Sequence, residues 1–88
     1  MQVEFLAKFN RDLDRIYLKS VKNSILKIID EVKTSESITQ ISNVKKLKGF
    51  RSAYRIRLGE YRIGVFVDGN HIEFARVLHR KEIYRYFP

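Results

Sequence analysis

Residues 53–78 read AYRIRLGEYRIGVFVDGNHIEFARVL, and this stretch decides the fold. Apolar and polar residues alternate within it, which predicts strands at 53–58, 61–67 and 71–78. Two short segments between the strands, 59–60 and 68–70, have the composition of hairpin turns. We therefore expect an antiparallel meander of three strands.

The first turn predicts the pairing of the first two strands. If Gly59 and Glu60 form a two-residue loop, Arg57 lies directly opposite Arg62. One face of the hairpin is then entirely apolar, with Tyr54, Ile56, Leu58, Tyr61, Ile63, Val65 and Val67. The pattern predicts that helices cover this face.

The opposite face of the hairpin carries three arginines, Arg55, Arg57 and Arg62. Like charges directly opposite each other destabilise a sheet, and Gly64, opposite Arg55, leaves a hollow beside them. Guanidinium groups bind phosphate oxygens through paired hydrogen bonds, so the arginines form a candidate phosphate site. The alternative is that they lie flat on the sheet and pair with Glu60 or Glu73.

The second turn decides where Arg76 lies. A three-residue loop over 68–70 places Arg76 on the basic face near Arg62, whereas a two-residue loop places it on the apolar face, where a charge is costly. The sequence therefore favours the longer loop. Arg80 extends the basic stripe, and Tyr84, one helical turn later, brings a phenol towards the same site.

The first half of the chain has helical periodicity. Residues 2–5 alternate weakly and predict a short strand, and an apolar stripe from Phe9 to Tyr17 predicts a first helix. Ser20 is the predicted cap of a second helix, whose apolar face runs from Val21 to Val32.

The remaining segments complete the predicted fold. Residues 34–43 are polar and predict a connecting loop into which Ile38 and Ile41 pack, and residues 80–87 predict a short terminal helix. The order is β-α-α-β-β-β-α, over one domain spanning residues 1–88. We expect a two-layer α+β domain, in which a helical hairpin covers one face of an antiparallel sheet.

The charge of the chain is strongly positive and uneven. Eighteen Lys and Arg against ten Asp and Glu give a net charge of +8. Residues 1–44 carry seven basic and six acidic groups, whereas residues 45–88 carry eleven basic and four acidic groups. Such a basic half favours a polyanionic partner. An acidic protein partner, or a charge that serves solubility alone, is the alternative.

Composition excludes several classes of site. The chain has no cysteine and two histidines, which argues against disulfides, a thiolate nucleophile and a zinc site, and we expect no cofactor. No apolar run has the length of a membrane span, and no cleavable signal pattern opens the chain. The expected location is the cytoplasm.

Three motifs resemble those of the RelE/ParE superfamily, the toxins of type II toxin–antitoxin systems. Leu47-Lys48-Gly49 resembles its Leu-Lys/Arg-Gly element, and residues 54–63 resemble its central hairpin. His79-Arg80-Lys81-Glu82-Ile83-Tyr84-Arg85 resembles its C-terminal signature. With the helical hairpin, the resemblance covers nearly the whole chain, and the order and spacing of the motifs make it specific.

The RelE branch implies an enzyme, a ribosome-dependent and metal-independent endoribonuclease that cleaves mRNA. A ribose 2′-hydroxyl attacks the adjacent phosphate, and preorganised cations stabilise the charge that develops. By position, the resemblance assigns catalytic roles to Arg55, Arg57, Arg62, Arg80 and Tyr84. It implies that Arg57 and Arg62 stabilise the scissile phosphate and that Arg80 stabilises or protonates the leaving oxygen. Tyr84 is expected to stack on a base, orient it, or help move a proton.

The general base is the open point of this assignment. The family has lysines where Arg55 and Arg57 stand, and arginine stays protonated in proteins. His79 is the nearby residue whose ordinary pKa lies close to neutral, so it is the candidate for the general base. A hydrogen-bonded histidine at a strand end is the alternative. His71, beside a turn, is expected on the surface.

Further basic residues are predicted to contact RNA, and these are Lys45, Lys46, Lys48, Arg51, Arg76 and Lys81. Contacts of this kind add salt-dependent affinity without sequence choice, although a merely solvated run is a close alternative. Among the aromatic residues, Phe50 is expected in the core, and Phe87 is expected to pack against the domain. Tyr86 is expected to pack as well, with base stacking as the alternative.

Two other functions remain open. ParE-like relatives share the fold but inhibit DNA gyrase without this arginine cluster, and a basic RNA-binding module needs no catalysis. The double-stranded-RNA-binding domain is a poor match, because two helices precede the sheet here. The resemblance also implies mRNA on the ribosome as substrate and a cognate antitoxin as partner, with an acidic segment that covers the basic face or displaces the C-terminal helix.

Overall fold

A computed structural model describes all 88 residues, which form a five-stranded sheet and three α-helices. The strands are β1 (Gln2–Phe5), β2 (Val44–Lys46), β3 (Ala53–Leu58), β4 (Tyr61–Asp68) and β5 (His71–His79). The helices are α1 (Ala7–Arg15), α2 (Lys19–Thr34) and α3 (Arg80–Tyr86), and a short 3₁₀ turn lies at Ile38–Gln40. The predicted α+β class and the predicted order of elements are confirmed, with one additional strand. None of the helices has the length and hydrophobicity of a membrane-spanning segment.

The β3–β4 hairpin has the predicted register. Arg57 pairs with Arg62 and Arg55 with Gly64 across a turn at Gly59-Glu60. Gly59 has a φ of +57°, a conformation that side chains other than glycine rarely adopt. The apolar face therefore covers the main core and the arginines share the other face, as the alternation predicted.

The two edges of the sheet were not predicted. The strand order is β1-β5-β4-β3-β2, and β1 runs parallel to β5, so the sheet is mixed and not purely antiparallel. Strand β2 has only three residues and pairs with β3. Its two lysines give no apolar alternation, and lysine on an edge strand discourages pairing with another chain.

The β4–β5 turn is shorter than predicted. Asp68 pairs with His71, so Gly69-Asn70 is a two-residue turn. The register then shifts by one residue, because Val65 pairs with Phe74 whereas Gly64 pairs with Arg76, which leaves Ala75 as a β-bulge. The bulge returns Arg76 to the face of the arginines, so its predicted face is correct although the predicted loop length is wrong.

The helical hairpin of α1 and α2 buries the apolar face of the sheet. Phe9, Ile25 and Val32 are fully buried against strand residues such as Ile56 and Phe74. Each buried side chain of this size contributes roughly 1.5–3 kcal/mol.

Two details of the helical hairpin correct the sequence predictions. Helix α2 begins at Lys19, and its N-cap residue Leu18 makes no side-chain cap, so Ser20 is not the cap. Tyr17 lies beyond the end of α1 and is 88% exposed, so it is not part of the buried stripe. The loop prediction is confirmed, since Ile38 and Ile41 are buried.

Helix α3 packs on the opposite face of the sheet. Ile83 and Phe87 form a second, smaller apolar cluster with Leu47, Ala53 and Ala75. The ring of Phe87 lies against Gly64, where a β-carbon would come within 2.5–2.7 Å of three ring carbons. The hollow expected at Gly64 is therefore filled by Phe87 and is not open to a phosphate, which corrects that part of the site prediction.

Candidate active site

A groove of about 330 Å³ lies on the arginine face, beside helix α3. Its lining residues are Asn43, Val44, Lys45, Arg55, Arg57, Arg62 and Tyr84. Strands β2, β3 and β4 supply all of them except Asn43, which precedes β2, and Tyr84, which comes from α3. The structure thus brings together four of the six predicted catalytic residues. We call this site the arginine groove.

The cations of the arginine groove face one another without neutralising partners. Lys45 lies directly opposite Arg55, and Arg57 lies directly opposite Arg62. No carboxylate lies within 4.0 Å of any of these four side chains, so neither Glu60 nor Glu73 pairs with them. Like charges in this arrangement repel, and a bound anion relieves the repulsion.

Uncharged groups hold two of the arginines in place. Arg62 donates from Nη1 to the carbonyl oxygens of Gly59 and Tyr61, at 2.8 and 2.9 Å. Arg57 donates from Nη2 to Oδ1 of Asn43 at 3.1 Å. Because these acceptors carry no charge, the guanidinium groups are oriented but remain available to an anion. Orientation without neutralisation is the condition for electrostatic stabilisation of a transition state.

Asn43 is a groove residue that sequence reasoning missed. Its φ is +64°, a conformation that asparagine tolerates better than most residues. Its backbone carbonyl also accepts a hydrogen bond from Arg57 N–H at 3.0 Å. The sequence signal that could have indicated Asn43 is its position between a polar loop and a basic strand.

Tyr84 closes one side of the groove. The Arg55 guanidinium carbon lies 4.4 Å from the centre of the Tyr84 ring, within the range of a cation–π contact. Tyr84 is 68% exposed, so its phenol is open to a ligand. Tyr84 therefore lies beside the arginines, as the helical spacing predicted.

Arg80 and His79 lie outside the groove, near the β3–β4 turn. Arg80 Nε pairs with Glu60 Oε2 at 2.9 Å, and His79 Nε2 lies 3.7 Å from the same oxygen. His79 Nδ1 accepts the N–H of Lys81 at 3.2 Å and caps α3. This is the alternative of a hydrogen-bonded histidine at a strand end. The structure places His79 beside Arg80 on Glu60 but does not bring it to the four predicted catalytic residues of the arginine groove.

Arg76 of β5 is neutralised by Asp12 of α1. Its Nε and Nη2 donate to Asp12 at 2.7 and 3.0 Å, and the Val77 N–H donates to the same carboxylate at 3.1 Å. The hydrogen bond to Asp12 raises the pKa of Arg76 above its usual value. Arg76 shares the arginine face by register, but its charge is already compensated.

The other predicted RNA contacts are scattered. Lys45 lines the arginine groove, and Lys48 lines a neighbouring depression. Lys46 pairs with Tyr54 and so faces the helical hairpin, away from the groove. Arg51 and Lys81 are exposed and line neither the groove nor this depression.

Two of the three aromatic predictions need correction. Phe87 is buried as expected, but Phe50 is 49% exposed and is not part of a core. Tyr86 is 51% exposed, with the Arg76 guanidinium carbon 5.6 Å from its ring centre.

Comparison with known proteins identifies the family. Residues 3–84 match a family model described as ParE toxin of type II toxin-antitoxin system, parDE. The chain is 45% identical to Toxin RelE3 of Methanocaldococcus jannaschii over 89 residues, with all of both chains covered.

Solved structures agree with this assignment. The toxin-like chain of a RelB-RelE antitoxin-toxin complex from Methanococcus jannaschii is 43% identical, with a TM-score of 0.82 over 97% of this chain and 99% of that one. An archaeal RelE-RelB complex from Pyrococcus horikoshii OT3 shares the fold at 23% identity, with a TM-score of 0.74 over 90% and 93% of the two chains. The chain therefore belongs to the RelE/ParE superfamily of toxins from type II toxin–antitoxin systems.

Proposed function

We propose that the protein is the toxin of a toxin–antitoxin pair and cleaves mRNA on the ribosome, without a metal ion. The observation that carries the proposal is the arginine groove, in which uncharged acceptors orient Arg57 and Arg62, the Tyr84 ring contacts Arg55, and none of the three arginines has a carboxylate partner. Four cations that repel one another are suited to the charge of a phosphodiester.

The proposed reaction is an internal transfer within the RNA. The ribose 2′-oxygen attacks the adjacent phosphorus, loses its proton, and forms a 2′,3′-cyclic phosphate. The bond from phosphorus to the 5′-oxygen breaks, and that oxygen takes up a proton to become a 5′-hydroxyl. Negative charge develops on the phosphoryl oxygens, where Arg57 and Arg62 stabilise it.

Proton transfer involves a smaller set of groups. Arginine stays protonated, and His79 is held at the turn by Glu60 and Lys81, so Tyr84 is the assigned proton carrier of the groove. Arg80 acts on the leaving oxygen after its guanidinium exchanges Glu60 for the substrate.

A cognate antitoxin completes the proposed system. The similar structures from Methanococcus jannaschii and Pyrococcus horikoshii OT3 are complexes of a toxin with an antitoxin. An acidic segment of the antitoxin would cover the arginine groove and compensate the same charges that the RNA phosphate compensates.

Inhibition of DNA gyrase is the second candidate, favoured by one observation. The matching family model is described as a ParE toxin, and members of one family need not share a target. The uncompensated arginines and Tyr84 favour the RNA reaction, because a protein target needs no such phosphate groove.

The test is inducible expression of the wild-type chain beside an Arg57→Ala/Arg62→Ala variant, with growth measured and transcript ends mapped. A Lys27→Ala/Lys33→Ala variant is the matched control, because it removes the same charge from exposed positions of α2. We expect growth arrest and new cuts inside translated messages for the wild type and the control only. Arrest without RNA cuts would favour gyrase or another protein target, and neither arrest nor cuts would contradict an active toxin.

A further inference from the structure

A second depression adjoins the arginine groove and has a different character. Its volume is about 500 Å³, and it shares Lys45, Arg55 and Tyr84 with the groove. Buried Leu47 and Phe87 also line it, together with half-exposed Phe50. We call it the aromatic depression.

Phe50 is held out of the apolar clusters by the turn before it. Gly49 has a φ of +81°, and the Phe50 N–H donates to the Leu47 carbonyl oxygen at 3.4 Å, which closes the turn. Phe50 is 49% exposed, so about half of its surface remains open. Single exposed apolar side chains are common, so the rings and cations beside Phe50, and not its exposure alone, indicate an external partner.

The charge around the depression indicates what kind of partner fits. Lys45, Lys48 and Arg55 line it together with Pro88, and no Asp or Glu side chain does. A ligand with a flat apolar part and an anionic part can stack on the rings and bind the cations at the same time. A nucleotide of a single strand has this chemistry, since its base stacks on aromatic rings while its phosphate binds cations.

We propose that the aromatic depression binds the nucleoside next to the scissile phosphate, with its base stacked on Phe50. This inference rests on the proposed function, and it makes Phe50 a substrate-binding residue of the same site. Arg55 and Tyr84 line both hollows, so they stand between the phosphate and the base. The depression then sets which part of an unpaired strand is presented to the arginines.

The test uses a single-stranded RNA trinucleotide that carries a 2′-deoxyribose at the attacking position, so that it binds without being cut. Affinity is measured for the wild type, Phe50→Ala and Phe50→Trp, without ribosomes. Leu26→Ala is the matched control, because Leu26 is 50% exposed on α2. Trinucleotides with one abasic position, placed at each position in turn, report whether the base itself is recognised.

We expect Phe50→Ala to weaken binding roughly 5- to 100-fold, the usual range for one stacked base. Phe50→Trp and Leu26→Ala should bind like the wild type. One abasic trinucleotide should bind the wild type weakly and lose nothing further with Phe50→Ala. If Phe50→Ala binds every trinucleotide as the wild type does, or loses equally on all abasic forms, the base site is wrong.

Failure of the proposed function is distinguishable from failure of this inference. If the wild type cuts messages and Phe50→Ala leaves trinucleotide binding unchanged, the nuclease proposal is supported and the base site is rejected. If the wild type cuts nothing but binds the trinucleotide through Phe50, the base site is supported and the nuclease proposal is rejected.

Discussion

The Arg55 guanidinium carbon lies 4.4 Å from the centre of the Tyr84 ring, so a strand residue and a helix residue meet over the arginine groove. The contact connects the sheet, which supplies the fixed cations, to α3, which supplies the exposed phenol. Tyr84 can therefore position Arg55 through its ring and transfer a proton through its hydroxyl group, and these two roles are separable by substitution.

Tyr84→Phe keeps the ring and removes the hydroxyl group. We expect RNA affinity close to that of the wild type and a cleavage rate lower by about 10²-fold, the lower end of what proton transfer by a positioned side chain contributes. Tyr84→Ala should lower both quantities. Single-turnover cleavage and equilibrium binding measure them separately, and an unchanged rate for Tyr84→Phe would restrict Tyr84 to stacking.

Glu60→Gln removes the carboxylate that holds Arg80 at 2.9 Å. We expect tighter RNA binding at low salt, because Arg80 is released and one negative charge near the site is lost. The gain should disappear as ionic strength rises, since the exposed pair is screened. Glu4→Gln, which alters an exposed pair with His71 away from the groove, is the control. Equal affinity of Glu60→Gln and the wild type at all salt concentrations would show that Glu60 does not restrain Arg80.

Gly64→Ala places a methyl group within 2.5–2.7 Å of the Phe87 ring. We expect destabilisation of about 1–3 kcal/mol, the usual cost of overfilling a packed site. Thermal unfolding measures the loss. Adding Phe87→Ala to Gly64→Ala should cost less than the sum of the two single changes, because residues in contact couple. Additive losses would mean that Phe87 does not fill the space above Gly64.

Asp12→Ala removes the acceptor of three hydrogen bonds from Arg76 and Val77. Asp12 is 4% exposed, and the loss leaves a largely covered guanidinium unpaired, so we expect a decrease of about 3–5 kcal/mol in the free energy of unfolding. Glu4→Gln, in the exposed pair with His71, should cost at most about 1 kcal/mol. Denaturant unfolding compares the two, and similar small losses would contradict a structural role for Asp12.

Local pattern predicted the central hairpin and both helices of the helical hairpin. The register of Arg57 with Arg62 followed from one short turn and strict alternation. The pairing of β1 with β5 could not be predicted in this way, because it joins residues about 70 positions apart and depends on how α1 and α2 fold back. The short strand β2 has no alternation of apolar and polar residues, and it forms by pairing with the edge of β3.

The site could be predicted only in part, because local pattern does not show which residues of other elements come close. Strand alternation predicts which arginines share a face, and Arg55, Arg57 and Arg62 do line one groove. It does not predict the partners that other elements bring, such as Glu60 for Arg80 or Asp12 for Arg76. The exposure of Phe50 depends on the conformation of Gly49, which composition alone does not give.

The bulge at Ala75 has a consequence for which changes of length the chain tolerates. Before it, Ile72 and Phe74 face the main core, and after it Val77 does, so the inward positions are separated by two residues and then by three. No regular strand has that spacing. Deleting Ala75 would give a regular strand in which Phe74 and Val77 still face the core and Arg76 still faces away from it, because Ala75 is the one residue of this stretch without a partner on β4. The side-chain faces of β5 therefore tolerate the loss of a residue at position 75, whereas the buried packing of Ala75 beneath α3 limits the size of the residue there.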